Sequence, residues 1–141
     1  MLFSKELTFS DDQAITGDAV STNVFDAGDR GVDPHTGVQL GWAPFRGAEI
    51  PLLVQVTEDF NTLTSLTISI QTDTTSAFSS PKTVLSTTIL LADLVAGKRF
   101  PIVIAPDGVE ERYMRLNYDV TGTNPTAGKI TAGIVHAVQT N

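Results

Sequence analysis

The 141-residue chain is 41% hydrophobic and 18% charged, enough apolar material for one packed domain and too much for wholesale disorder. A net charge of −7 argues against a basic nucleic-acid or anionic-membrane surface, and no run of about eighteen apolar residues is present to span a bilayer. Cysteine is absent, which removes disulfides, thiolate chemistry and Cys-type zinc sites and suits folding in a reducing cytosol.

Residues 2–9 alternate imperfectly and predict an N-terminal strand with Phe3, Leu7 and Phe9 buried. Ser10-Asp-Asp-Gln13 reads as a turn or a short helical start, and residues 19–25 as a second, β-branched strand. Residues 26–49 then form a long irregular excursion with five Gly, two Pro, three Asp and the only Trp of the chain. Structureless loops beyond about 12–15 residues are uncommon in compact domains and tend to be functional or disordered. This one carries Val32, Val38, Leu40, Trp42 and Phe45, a density that predicts an ordered excursion with a short strand near residues 37–42.

From residue 50 onward the pattern is β. Residues 51–56 open on a Pro, which a strand tolerates at its first position. Residues 63–72 alternate most clearly, with Leu66, Ile68 and Ile70 inward and Thr67, Ser69 and Gln71 outward. A Ser/Thr-rich loop with one aromatic, Phe78, covers residues 73–81, and residues 83–91 form a Thr-rich strand. Residues 92–96 followed by Gly97 predict a single helical turn with a glycine cap. Phe100, Ile102 and Ile104 lead another strand, which ends at the turn Pro106-Asp-Gly108.

In residues 113–120, Met114, Leu116, Tyr118 and Val120 share one face and Arg115, Asn117 and Asp119 the other. The turn-rich segment 121–128 leads to a last strand, residues 129–139. There Ile130, Ala132, Ile134 and Val138 fall on one face, and Thr131, Gly133, Val135 and Ala137 on the other. Because neither face carries much charge, both are expected to be covered. Thr131, Gly133, Val135 and Ala137 are therefore candidates for a sheet or oligomer interface. About eight short strands without a long helical period or internal repeat give an all-β sandwich or barrel, one domain over residues 1–141.

Candidates for chemistry are few. His136 shares a face with Ile134 and Val138 and reads as a core or interface imidazole. His35, in Asp33-Pro-His-Thr-Gly37, has no second His nearby and reads as part of a solvated loop. Asp26, Asp29 and Asp33 do not match the spacing of a calcium loop, and no phosphate-cradling Gly loop is present. No catalytic set, cofactor or metal site is expected. Trp42 and Phe45 read either as plugs for one end of the sandwich or as interface anchors beside Arg30 and Arg46. Glu110-Glu-Arg112 reads as a solvated charge cluster.

The stretch Arg112-Tyr-Met-Arg-Leu-Asn-Tyr-Asp-Val-Thr-Gly-Thr-Asn-Pro-Thr-Ala-Gly-Lys-Ile-Thr-Ala-Gly-Ile-Val135 resembles the end of the Bbp16-like capsid cement proteins of tailed bacteriophages. Leu7-Thr-Phe-Ser-Asp11, Gln13-Ala-Ile-Thr16, Ser21-Thr-Asn-Val24 and Leu94-Val-Ala-Gly-Lys-Arg-Phe100 resemble the same family in order and spacing. The resemblance implies a jelly-roll-type antiparallel sandwich without enzymatic activity, made in the host cytoplasm. It would sit on the outer capsid surface of the virion and bridge major capsid protein subunits. Self-association as a homodimer or homotrimer is expected, with no nucleic-acid or membrane partner. The excursion has no counterpart in the resemblance, so Arg30, Trp42, Phe45 and Arg46 are expected capsid contacts on residue type alone. The alternative is a carbohydrate-binding, lectin-like sandwich, which would stack sugars on Trp42, Tyr113 and Tyr118. A cupin-like enzyme would need clustered His and carboxylates, whereas the two His are distant.

Overall fold

A computed structural model describes residues 4–39, 50–104 and 111–135. Among these residues the chain forms nine strands: β1 (Thr8–Ala14), β2 (Ala19–Val20), β3 (Phe25–Asp26), β4 (Ile50–Glu58), β5 (Leu63–Asp73), β6 (Lys82–Leu90), β7 (Arg99–Ile104), β8 (Tyr113–Gly122) and β9 (Lys129–Ile134). Short 3₁₀ turns cover Lys5–Leu7 and Leu91–Asp93.

The strands build two antiparallel sheets. One runs β1-β9-β4-β7; the other runs β2-β8-β5-β6, with β3 also on β8. Since β2 and β3 both pair with β8, at Ala19↔Tyr118 and Phe25↔Met114, they are two pieces of one interrupted strand. Counted so, eight strands cross between the sheets at every step but one, the β5–β6 hairpin, as a jelly roll does, with first and last strands paired in one sheet and second and penultimate in the other. The all-β sandwich expected from the sequence is the observed fold.

Period-2 alternation supplies the core. Leu52, Val54, Val56, Ile130 and Ala132 of the four-stranded sheet meet Leu66, Ile68, Ile70, Met114, Leu116 and Tyr118 of the other, each at most 1% exposed. Each fully buried Leu or Ile contributes roughly 1.5–3 kcal/mol over an exposed one, so this interlayer holds the fold together. One polar link crosses it. Tyr118 OH and Ser10 Oγ lie 2.7 Å apart, both fully buried. Because Ser10 Oγ donates to Gln13 Oε1 (2.7 Å), the phenol donates to Ser10. Gln13 Nε2 continues to the Val20 carbonyl (2.8 Å), tying β1 to β2. Burial pushes the Tyr118 phenol far above its usual range, so it stays a donor.

Several expectations are corrected. The first strand starts at Thr8 rather than near residue 2, behind the 3₁₀ turn. Residues 10–13 lie inside β1 instead of forming a turn or helix. Their turn-prone chemistry appears as a bulge, with Asp12 at φ +46° and shifted register against β9. Asp12 is held there by Thr57 Oγ1 (2.7 Å) and Lys129 Nζ (3.4 Å), while its N–H donates to Thr131 Oγ1 (2.9 Å). The expected strand over 19–25 breaks in two because Ser21 and Asn23 hydrogen-bond outside a ladder, Ser21 Oγ to the Asn23 carbonyl and Asn23 Nδ2 to the Thr8 carbonyl. The β8–β9 loop is fastened by Asn61 Oδ1, which accepts from the N–H groups of Thr126 (2.9 Å) and Ala127 (3.2 Å). A Cβ at Gly128, φ +134°, would intrude on the Phe60 ring, so only glycine permits this approach.

Candidate interaction surface

The excursion leaves the sandwich at β3, whose Asp26 pairs with Tyr113 of β8. Arg112, the residue before β8, holds its root. Its guanidinium grips Asp26 in a fork, Nε to Oδ1 at 2.7 Å and Nη2 to Oδ2 at 3.0 Å, and Nη1 reaches Asp29 Oδ1 at 2.6 Å. It also lies 5.1 Å from the centroid of the Tyr113 ring. The backbone adds two bonds, Ala27 N–H to the Arg112 carbonyl (2.9 Å) and Gly28 N–H to Asp26 Oδ1 (2.8 Å). The Arg112 bond, seconded by the Gly28 N–H, holds the Asp26 carboxyl below the ordinary aspartate range. Asp26 and Asp29 thus converge on the protein's own cation.

Beyond this root stands a small hairpin. Val32 bridges Gln39 antiparallel, and Asp33 N–H donates to the Val38 carbonyl (2.9 Å). Asp33 organises the turn from within. Its carboxylate accepts His35 N–H (2.9 Å) and Thr36 Oγ1 (2.6 Å), and its carbonyl accepts Gly37 N–H (2.8 Å). The Thr36 hydroxyl and the His35 amide hold this carboxyl below the ordinary range as well. Gly37 closes the turn at φ +67°. Val32 and Val38 remain 56% and 61% exposed. The expected short strand near 37–42 is, in its described part, this bridge and turn.

Of the expected capsid contacts, Arg30 is exposed in the segment between root and hairpin. Trp42, Phe45 and Arg46 lie outside the described residues. On β9, Thr131 is half-buried and lines an open cleft of about 400 Å³ with Lys5, Thr8, Asp11 and Asn23. Gly133 is buried, and Val135 is 3% exposed with its N–H on the Pro51 carbonyl (3.0 Å), within a single chain. A second copy is not needed to cover them. Ala137 and His136 lie outside the described residues.

The solvated reading of residues 110–112 is corrected for two of them. Arg112 is the clamp just described, and Glu111 accepts Thr72 Oγ1 (2.7 Å) and faces Lys82 Nζ (3.9 Å). Glu110 lies outside the described residues. Sequence reasoning missed Arg112 because its partners are more than eighty residues away. It weighed Asp33 as a metal ligand, although an Asp followed by Pro-x-Thr-Gly is also a signature of a self-capped turn.

No curated protein matches the chain. The protein-family model of Bbp16 matches residues 9–134, from β1 to the end of β9, and the chain belongs to the Bbp16 family.

Proposed function

We propose that this protein is a capsid cement protein that sits on the outer surface of a phage shell and bridges major capsid protein subunits, gripping them through the excursion. The observation that carries this reading is the hairpin around Val32–Gln39. It exposes two valines, yet it is fixed by Arg112 at its root and by Asp33 at its turn. An ordered apolar projection has little to contribute to its own fold, and ordering it in advance lowers the entropic cost of docking. The resemblance of residues 112–135 to phage capsid cement proteins supports this reading, and membership of the Bbp16 family is consistent with it. Binding an assembled shell more tightly than its separated subunits stabilises the shell by linkage. Self-association would multiply the effect, because a lattice offers several copies to engage at once. The glycan alternative loses one stacking surface, as Tyr118 is fully buried.

The test is co-sedimentation with shells assembled from the major capsid protein. The wild type should be retained and should raise the shell's melting temperature. Val32→Ser combined with Val38→Ser should release it while leaving the isolated protein's own melting unchanged. Full retention of that variant would place the grip elsewhere and reject the hairpin.

A further inference from the structure

The two sheets protect their edges unequally. β1 carries Asp11, Asp12 and two register shifts, β7 carries Arg99 and Pro101, and β2 and β3 are two residues each. These are the usual devices against unwanted pairing. β6 is nine residues long and pairs only with β5 among the described residues. From Thr83 to Leu90 it has no charge and no proline, and its one irregularity, the extra residue Val84, lies near the start. Thr83, Ser86, Thr88 and Leu90 are exposed, Leu90 at 60%. A long, uncharged, β-branched edge is a template for another strand.

We infer that β6 pairs antiparallel with β6 of a second copy of this chain, about a two-fold axis through Thr87, joining the β2-β8-β5-β6 sheets of the two copies into one. The occupant follows from the strand's self-complementarity. In this register Leu85 meets the copy's Ile89, both on the core face they share with their β5 partners Ile70 and Leu66. Ser86 meets the copy's Thr88 on the outer face. Within one chain those hydroxyls already form rows, Thr67 Oγ1 to Thr88 Oγ1 at 2.9 Å and Ser69 Oγ to Ser86 Oγ at 3.2 Å. The axis through Thr87 extends each row across the junction, from Thr67 through Thr88 to Ser86 and Ser69 of the copy. Shifting the axis to Ser86 would instead oppose Ile89 to Thr83 beyond the bulge. The pairing also covers Leu85, which a single chain leaves half-buried. This rests on the homo-oligomer reading above and names its interface, away from β9.

The chain has no cysteine, so Thr87→Cys introduces a single thiol. Directly opposed antiparallel residues lie about 4.5–5.5 Å apart at Cα, within the range a disulfide bridges. Oxidised Thr87→Cys should run as a covalent dimer without reductant and as a monomer with it. Ser86→Lys with Thr88→Lys sets four like charges across the axis and should give a folded monomer by light scattering, with melting lowered as the dimer and the Thr67–Thr88 and Ser69–Ser86 pairs are lost. Mixing it in equal parts with Ser86→Glu, Thr88→Glu should restore the dimer. No cross-link from Thr87→Cys, or a double-Lys variant of wild-type oligomeric mass, overturns the proposal. If the double-Lys variant fails to fold, the Thr87→Cys cross-link alone decides. Shell retention is scored separately, so losing the β6 dimer and losing the capsid partner give different results.

Discussion

Two loops of this protein are fastened by the same kinds of residue and point in opposite directions. In the loop after β5, Asp73 accepts the N–H groups of Thr75 (3.0 Å) and Ser80 (2.9 Å), and Arg115 lies 4.2 Å from the centroid of the Phe78 ring. The aromatic ends 7% exposed. In the excursion, Asp33 caps a turn and Arg112 clamps the root, but the apolar residues so ordered, Val32 and Val38, face outward. The first loop is explained by what it buries. The second is not, since its fasteners hold apolar surface in water, and that asymmetry is the reason to seek its partner outside the chain.

The largest effect should come from the inward loop. Phe78→Ala removes a buried ring together with the surface on which Arg115 stacks, and should cost about 3 kcal/mol, read from the denaturant midpoint. Phe78 sits at φ +49°, a conformation strained for a bulky residue, which its burial must outweigh. A loss below about 0.5 kcal/mol, the usual size of a surface change, would erase the contrast between the loops.

Acid should separate the two fastenings next. Backbone N–H donors, Thr75 first and then Ser80, hold Asp73 below the ordinary value of 3.8. The folded pKa is therefore lower than the unfolded one. The stabilisation is present above about pH 4 and disappears as pH falls through the folded value. Asp26 has the same sign for a different cause, chiefly Arg112. Wild-type melting should fall steeply below pH 3.8, and Asp73→Asn should flatten part of that fall at any salt concentration. The share removed by Asp26→Asn should shrink as salt rises, because an exposed ion pair is screened. Equal salt dependence of the two variants would mean that the fasteners are not distinct.

Arg112→Ala should then loosen the excursion without unfolding the protein. Solvent-screened ion pairs contribute little to stability, so the melting temperature should move little. Backbone order parameters over residues 32–39 should fall from about 0.85 towards 0.6, while those of residues 73–81 stay fixed. Unchanged order at the hairpin would show that Asp33 alone suffices.

The legible and illegible parts divide along the same line. The alternation of β5, β8 and β9 names their core faces correctly, because Leu66, Ile68, Met114, Leu116 and Ile130 must share one apolar layer, but Ser69, expected outward on β5, is buried as well. Strand starts and breaks were less legible. β1 begins only at Thr8, and its bulge at Asp12 depends on Thr57, Lys129 and Thr131 from distant parts of the chain. The clamp at Arg112 was hidden likewise, since a charge among charges looks solvated until the fold brings Asp26 and Asp29 to it. The inward turn of Phe78 carries no periodic signal, because it depends on one left-handed residue and on Arg115 of the neighbouring strand β8, distant in sequence. Residue type pointed to the excursion. Which of its residues are presented was set by the turn chemistry of Asp33.

The smallest effect on stability should come from the residues that matter most outside the molecule. Val32 and Val38 are more than half exposed, so truncating them to Ser removes little apolar burial. The hairpin's bonds are made by Asp33, Thr36, Gly37 and the backbone, which the substitutions leave in place. Melting should therefore shift by less than about 0.5 kcal/mol in free energy. On a partner surface the same atoms would be desolvated, each buried methyl or methylene then counting for about 0.8 kcal/mol. Several such groups per copy, multiplied over a lattice, would turn a change invisible in the isolated protein into loss of retention on shells. Thr36→Ala supplies the control, because it removes one of the two side-chain bonds at Asp33 while keeping both valines. Retention that drops for the valine pair and only partly for Thr36→Ala separates the docked surface from the turn that presents it. The reverse order would mean that the turn's shape, and not its valines, is what the partner reads.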